Sequence, residues 1–525
     1  MRTFARLVLL SLVGCNASGS LELTLSLPTD PSLRPVGMTT VTVTATPPGE
    51  SPIANTSVVS ESGTFAAGEL PIGEDVQVGV VLRDVSNRIV GVGNAGELID
   101  IVGDKPTQVD IPVRRPFVYA SSGTALFSYD PTLDPRDDKF QGRVAGVNNP
   151  QLAVSVGGDR LAVVTSSQVQ VIQTSTNQVV GAITVPMGAR DATAVPGTSK
   201  LAIAHMTGLS IVDIDTMNVS TATVGPVDRV TVGPNADGAM IAYGLLGRVA
   251  PPERPTAMAT CTGTSSLVMI SVDNPSMATP ATFPASISDI AAAPDAPMLF
   301  ATQPCEGQVS KVMGAVEGST LALEKIATLS RAAVLTVSGD RVWAAGNHVS
   351  TPECTANCAP STAIQCPVQS DADRLRWVMD GASLAMVSVA LTESDTVTLN
   401  LPDRRETAID TADLALQHAQ VLKAFSAVPV DLVALPGGQY VSLVTKSRYY
   451  VEDFDASIPC LDVTTADWML VDMASSSVAQ RVRTSCSIVQ RNVGNEWICD
   501  TPPLGQDHAF EAFLPASVGA LFGAR

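Results

Sequence analysis

A chain of 525 residues with 45% hydrophobic and 16% charged residues has the composition of folded globular units rather than of a disordered segment. Its formal net charge of −19 leaves no basic stripe to replace the counterions of a phosphate backbone, so no nucleic-acid partner is expected. Cationic partners, or none, suit that balance better.

The chain opens with Arg2 and Arg6 ahead of an apolar run at 7–13, which is too short for a spanning helix and has the charge and length of an export signal. The run ends in Leu12-Val13-Gly14-Cys15, which resembles the lipobox of bacterial lipoproteins. The resemblance implies that residues 1–15 are a signal peptide plus lipidated Cys15, so that the N-terminal lipid makes the membrane a partner. Asn16 after the cysteine then implies sorting to the outer membrane of a bacterial cell envelope. Residues 16–20 are left as a short tether.

Export also sets the cysteine chemistry, because an oxidising compartment favours disulfides. Of nine cysteines, setting Cys15 aside leaves Cys261, Cys305, Cys354, Cys358, Cys366, Cys460, Cys486 and Cys499, an even set that fits four bridges. Cys261 and Cys305 are expected to pair, since each follows the second strand of neighbouring repeats; the other six pair among themselves. His348 with Cys354, Cys358 and Cys366 has the donor atoms for zinc but not a familiar finger spacing, and disulfides are the expected state.

From residue 21 the segment LELTLSL alternates strictly, as does TVTVTAT at 40–46, each bounded by Pro and Gly. With further runs at 76–82, 88–92 and 108–113, residues 21–113 read as a compact all-β unit. These strands, with Leu70-Pro71-Ile72-Gly73 before one of them, resemble the small immunoglobulin-like or transthyretin-like sandwiches of exported bacterial proteins. The expected fold class is therefore all-β, a small N-terminal β-sandwich followed by a second unit.

Arg114-Arg115-Pro116 marks the boundary, and residues 114–525 carry repeats. The stretch 152–186 breaks into four β-prone runs separated by tight turns, which is one four-stranded antiparallel sheet. Matching turns between first and second strands fall at Gly157-Gly158, Pro196-Gly197, Gly233-Pro234, Pro294-Asp295, Ser338-Gly339 and Pro436-Gly437. A third strand ending in Asp recurs at Asp130, Asp213, Asp273 and Asp472, where the carboxylate suits the following turn. Sheets repeating in this way give a β-propeller.

The repeats resemble the YVTN and lactonase-like group of propellers, with Ala162-Val163-Val164-Thr165 and Ala202-Ile203-Ala204-His205 in the place of the tetrapeptide that names it. The first repeat lacks an innermost strand, and Phe510-Glu511-Ala512-Phe513-Leu514-Pro515 aligns with Asp431-Leu432-Val433-Ala434-Leu435-Pro436. The ring is thus expected to be closed by a C-terminal strand, which removes exposed edges. Seven blades are counted, with six and eight as the alternatives, and 410–425 reads as helix-like.

No HExxH, Gly-x-Ser-x-Gly, Walker or EF-hand motif occurs in the sequence. His205, His348, His418 and His508 are scattered, as structural histidines are. The more suggestive set is Asp191, Asp228, Asp289 and Asp431, each at the same offset before the turn of its repeat. Equal offsets on innermost strands place the four carboxylates at one mouth of the channel, where they would bind a cation, calcium being the candidate, or a cationic ligand. The plainer reading is that each Asp bonds backbone amides and ties down the incoming loop; no cofactor is then needed.

Two functions follow. The first is a non-catalytic, lipid-anchored binding module that takes a protein or glycan ligand at the envelope. The alternative is an envelope lactonase- or hydrolase-like enzyme that uses a metal ion at the channel mouth; whether any catalysis occurs stays open. In either case the long insertions at 246–266, 348–383 and 452–467 lie between second and third strands. They emerge on one face with the eight cysteines and the four aspartates, and that disulfide-decorated face is where binding is expected.

Overall fold

The computed structural model describes most of residues 21–349, leaving aside chiefly 59–69, 131–140, 250–262 and 315–320. Beyond that span it describes strands between residues 382 and 521 and two short strands before residue 20. The regular elements among the described residues are strands, and no helix there is long and apolar enough to cross a membrane.

The N-terminal strands follow the alternation in the sequence: Leu21–Ser26, Thr40–Thr46, Gly73–Arg83, Ile89–Asn94 and Thr107–Arg114. Two more, Ile53–Val58 and Ile99–Ile101, carry no such signal; the first is an edge strand whose side chains are exposed or half-buried throughout. Thr107–Arg114 serves two ladders. Through Pro112 it runs parallel to Leu21–Ser26, and from Val113 it pairs antiparallel with Ile89–Asn94. The alternate residues Leu23, Val43, Val78, Leu82, Ile101 and Ile111 turn inward and form a core drawn from these strands alone.

The repeats are antiparallel sheets of four strands, the last of them with a fifth strand, Ala419–Ala424, added. Taken in chain order of the bulk of each, the first sheet holds Val118–Ser121, Leu126–Tyr129 and Gln141–Arg143. The second holds Leu152–Val156, Arg160–Val164, Gln168–Gln173 and Gln178–Thr184. The third begins with Ala189–Ala194, the fourth with Arg229–Pro234, the fifth with Asp289–Ala292, the sixth with Val334–Ser338 and the seventh with Val428–Ala434.

The missing inner position of the first sheet is filled by Ser517–Leu521, which pairs antiparallel with Val118–Ser121. The strand that fills it lies beyond the 510–515 stretch that the alignment selects, and 510–515 itself is outside the described residues. The inner strands pack side by side in sheet order, and Ser517–Leu521 lies against the inner strands of both the seventh and the second sheets. This side-by-side packing of meanders is the arrangement of a β-propeller.

Burial explains why these sheets need one another. In the second strand of the third sheet, Leu201 and Ile203 join Leu152, Val164 and Val171 of the second sheet in one core. The intervening Ala202 and Ala204 join Val230, Val232 and Val268 of the fourth in another. A strand of period two thus carries its larger residues on one face and its alanines on the other, and neither face reaches water.

Three sequence-based expectations are corrected. Of the expected insertion 452–467, residues 452–453 end the strand Tyr440–Asp453 and 461–467 begin the strand Leu461–Asp472, so only 454–460 connect them. Gly233-Pro234 is not a turn: both residues belong to the strand Arg229–Pro234, opposite Ile241 and Met240. The chain reverses after them, where the Asn235 side-chain oxygen accepts the amides of Asp237 at 3.0 Å and Ala239 at 2.9 Å. Gly233 is there for close approach, since a Cβ on it would stand 2.7 Å from both Ala292 Cβ and the Ala293 carbonyl oxygen of the next sheet. In 410–425, residues 419–424 form a strand rather than a helix, pairing with the far end of Tyr440–Asp453. Pairing with an unusually long neighbouring strand outweighs local propensity.

Candidate functional site

Asp191, Asp289 and Asp431 each stand five residues before a turn proline, at the start of the inner strands of the third, fifth and seventh sheets. Asp191 Oδ2 accepts the Val230 amide of the fourth sheet at 2.8 Å, and Asp289 Oδ2 accepts the Leu335 amide of the sixth at 3.1 Å. Each carboxylate therefore ties its own sheet to the next. Asp289 Oδ1 and Asp431 Oδ1 also accept the amide of the following residue, Ile290 or Leu432, at 3.0 Å.

Arg229, at the head of the fourth sheet's inner strand, lies among these carboxylates. Its Nη1 is 3.6 Å from Asp191 Oδ1 and its Nε 3.5 Å from Asp289 Oδ1, with the three side chains 13%, 18% and 11% exposed. Burial pushes the Asp191 carboxyl up to about 6, against Arg229 and the Val230 amide, while Asp289 and Asp431 add to the rise. For Arg229 burial opposes the charge, but Asp289, Asp191 and Asp431 outweigh it and hold the guanidinium above its ordinary value. Asp431, on the inner strand of the seventh sheet, acts electrostatically on both.

Asp228 does not share this place. With the real turn after Pro234, the fourth sheet's residue at the equivalent offset is Thr231, whose Oγ1 accepts the Ala292 amide at 2.9 Å. Asp228 instead pairs with Arg190, and its Oδ2 accepts the Arg248 amide at 3.0 Å. Arg248 Nε donates to the Ser288 carbonyl at 2.7 Å. Burial and the like charge of Arg229 bring the Arg248 guanidinium down to about 10.

The Arg229 guanidinium thus lies between Asp191 and Asp289. Among the described residues no group of three or more His, Cys, Asp or Glu side chains is placed to hold a metal ion. Chemically the cluster is a set of sheet-to-sheet ties around one internal cation.

A polar network with no signal in the motifs lies at the end of the second strands. His205 Nε2 is 3.0 Å from Ser210 Oγ, which is 2.8 Å from Thr221 Oγ1, and His205 Nδ1 is 3.0 Å from Thr207 Oγ1. The fifth sheet repeats the arrangement, Gln303 Nε2 donating to Ser310 Oγ at 2.6 Å. In sequence the trace is a polar residue closing the second strand and a serine as third residue of the third. A Ser–His pair at this distance has the geometry of a nucleophile and base, but both residues are 0% exposed and burial lowers the imidazole pKa.

The third-strand aspartate does what the turn chemistry predicts at Asp213, whose Oδ1 accepts the Asp215 and Thr216 amides at 3.0 and 3.2 Å. Cys305 is disulfide-bonded. Cys486 and Cys499 stand directly opposite each other in the hairpin Ser485–Arg491 and Gly494–Asp500. Cys15, Cys261, Cys354, Cys358, Cys366 and Cys460 lie outside the described residues.

No protein-family model and no curated protein matches the sequence. Among solved structures the chain is similar to hydrazine synthase of Kuenenia stuttgartiensis at 12% identity, over 65% of this chain and 99% of that one, with a TM-score of 0.37. The Cps50 (Swd1) β-propeller domain of Myceliophteria thermophila gives 11% identity, 62% and 95% coverage and a TM-score of 0.33. The RRP9 WD40 repeats give 12%, 51% and 82%, and 0.33. Identities and superpositions this low transfer neither activity nor partner, and the propeller arrangement stands on the strand ladders of the chain itself.

Proposed function

We propose that the protein is a lipid-anchored, seven-bladed propeller of the bacterial cell envelope, carried on a small sandwich, that binds a protein or glycan partner through one face of the ring. The observation that supports it most is where the chain is lengthened. Leu246 to Ser266, Val349 to Ala382 and Asp453 to Leu461 are all second-to-third strand connections, which leave from the same end of their sheets. At the other end the first-to-second turns, such as Val195 to Ser199 and Asn235 to Ala239, are short and closed by their own hydrogen bonds, while the third-to-fourth connections Tyr129 to Gln141 and Met313 to Ala322 are longer but fall well below the two longest second-to-third ones. Loops on a rigid scaffold are where binding groups concentrate, and bridges at the cysteines would reduce the ordering entropy lost on binding.

Anchoring rests on Leu12 to Cys15 and is tested separately from binding. Fatty-acid labelling of the protein in a Gram-negative host should give lipid on the wild type and none on Cys15→Ala. Acylation without Cys15 would remove the anchor. For binding, immobilised protein probed with envelope extract should lose its partner when 351–380 is replaced by a short turn and keep it when the Asn235 turn is altered. Retention by the shortened variant would remove the decorated face as the binding surface.

A further inference from the structure

The boundary between the N-terminal strands and the ring is the motif Arg114-Arg115-Pro116, and a two-domain chain ordinarily hinges at such a place. Here both arginines are engaged. Arg114 ends the strand Thr107–Arg114 and is 7% exposed. Its Nη1 donates to the Thr174 carbonyl, in the turn between the third and fourth strands of the second sheet. Its guanidinium also meets the hydroxyl of Tyr119, a fully buried side chain whose phenol burial pushes up to about 12 against the pull of Arg114.

Arg115 Nη2 lies 2.5 Å from Asp130 Oδ2, and Asp130 is 2% exposed at the end of the first sheet's third strand. Consecutive residues are therefore held by two different sheets. Pro116 fixes its own φ, and Val118 is already in the ring, so little slack is left between them.

The place that receives Arg114 is one the ring uses repeatedly. Arg160, the first residue of the second sheet's second strand, pairs with Asp215 in the third-to-fourth turn of the next sheet. Lys200, at the same place in the third sheet, lies 3.1 Å from Asp273 of the fourth. Arg114, four residues before a second strand, also reaches the third-to-fourth turn of the following sheet, there bonding the Thr174 carbonyl instead of a carboxylate. The joint is built from the ring's own sheet-to-sheet contact, which the first sheet satisfies with a residue of the N-terminal unit.

We propose that Arg114 and Arg115 lock the N-terminal unit to the end of the ring that carries the first-to-second and third-to-fourth turns, as a fixed joint, so that the two move as one body and the end with the longest second-to-third connections points away from the N-terminal tether. The direction follows from the strand register. Leu21 runs parallel to Thr107, seven residues before the joint, which is about 23 Å along the strand. The chain thus enters at the far pole of the first unit. A buried guanidinium that left its partners would strand polar atoms without hydrogen bonds, which opposes swivelling. The joint does not depend on lipid at Cys15, whereas its meaning for partner access rests on the binding reading above.

The test is a distance distribution from spin labels carried on non-canonical residues at positions 58 and 217, both exposed, in the full-length protein in detergent. The wild type should give one narrow peak. Arg114→Ala with Arg115→Ala should lose it, and Arg160→Ala, which breaks a sheet-to-sheet pair away from the joint, should keep it. Asp130→Asn is the milder variant should the double substitution not fold, and is expected to broaden the peak. A broad distribution in the wild type, or narrow peaks in both joint variants, would overturn the proposal whatever the outcome for lipid or partner binding.

Discussion

Asp191 reaches from the third sheet to accept the amide of Val230 in the fourth at 2.8 Å, and the residue before Val230 is the arginine that neutralises it. One carboxylate thus makes a backbone tie and an ion pair to consecutive residues of the neighbouring inner strand. It does so at a cost in charge, because three carboxylates converge on one guanidinium.

That imbalance predicts a pH dependence. The folded chain holds the Asp191 proton more tightly than the unfolded chain, with a carboxyl at about 6 against 3.8. This group's contribution to stability is therefore fully present below pH 3.8 and is lost as pH rises through 6, at most about 3 kcal/mol. Asp191→Asn should flatten the stability profile between pH 4 and pH 6 and be no less stable than wild type at pH 7.5. Chemical denaturation across that range checks it, and an unchanged slope would remove Asp191 as its source.

Arg229→Met should be far more damaging than Asp191→Asn. It leaves Asp191, Asp289 and Asp431 without their common cation, and breaking a buried pair costs roughly 3–5 kcal/mol. The loss should shrink at pH 4.5, where Asp191, its pKa raised to about 6, holds its proton. A loss equal at both pH values would show that packing, not charge, is what Arg229 supplies.

Gly233→Ala tests the closeness of neighbouring inner strands. The added methyl group meets Ala292 Cβ and the Ala293 carbonyl oxygen, each at 2.7 Å, and overpacking of this kind costs about 1–3 kcal/mol. Adding Ala292→Gly should restore part of the stability and not all of it, since the carbonyl is backbone. Full restoration would mean that the strands shift freely at this point.

The repeats were legible chiefly from strands buried on both faces, such as Leu201 to Ala204, since outer strands such as Gln178–Thr184 are mostly exposed. Ile53–Val58 left no such trace, because an edge strand in water has no face to protect. Gly233 misled for a physical reason: glycine marks either a turn or a close approach, and the sequence does not distinguish them. The misplaced turn gave Asp228 an offset that its strand does not have, while Asp191, Asp289 and Asp431 stand at one offset from turn prolines in their strands. Arg229 was invisible as their partner because it comes from a different strand at a different offset. Only the packing of inner strands side by side brings it there.

The pairing of Ser517–Leu521 with Val118–Ser121 also sets an order of events in synthesis. Roughly 400 residues separate the two strands, a loop whose closure is slow rather than thermodynamically prohibitive. A chain leaving the ribosome holds its first sheet with the inner position vacant, and every sheet made afterwards is added to an open arc with two unpaired edges. Such an arc is the species most prone to join a second copy of itself. Chaperone demand should therefore peak just before residue 517 emerges and fall once the last strand arrives.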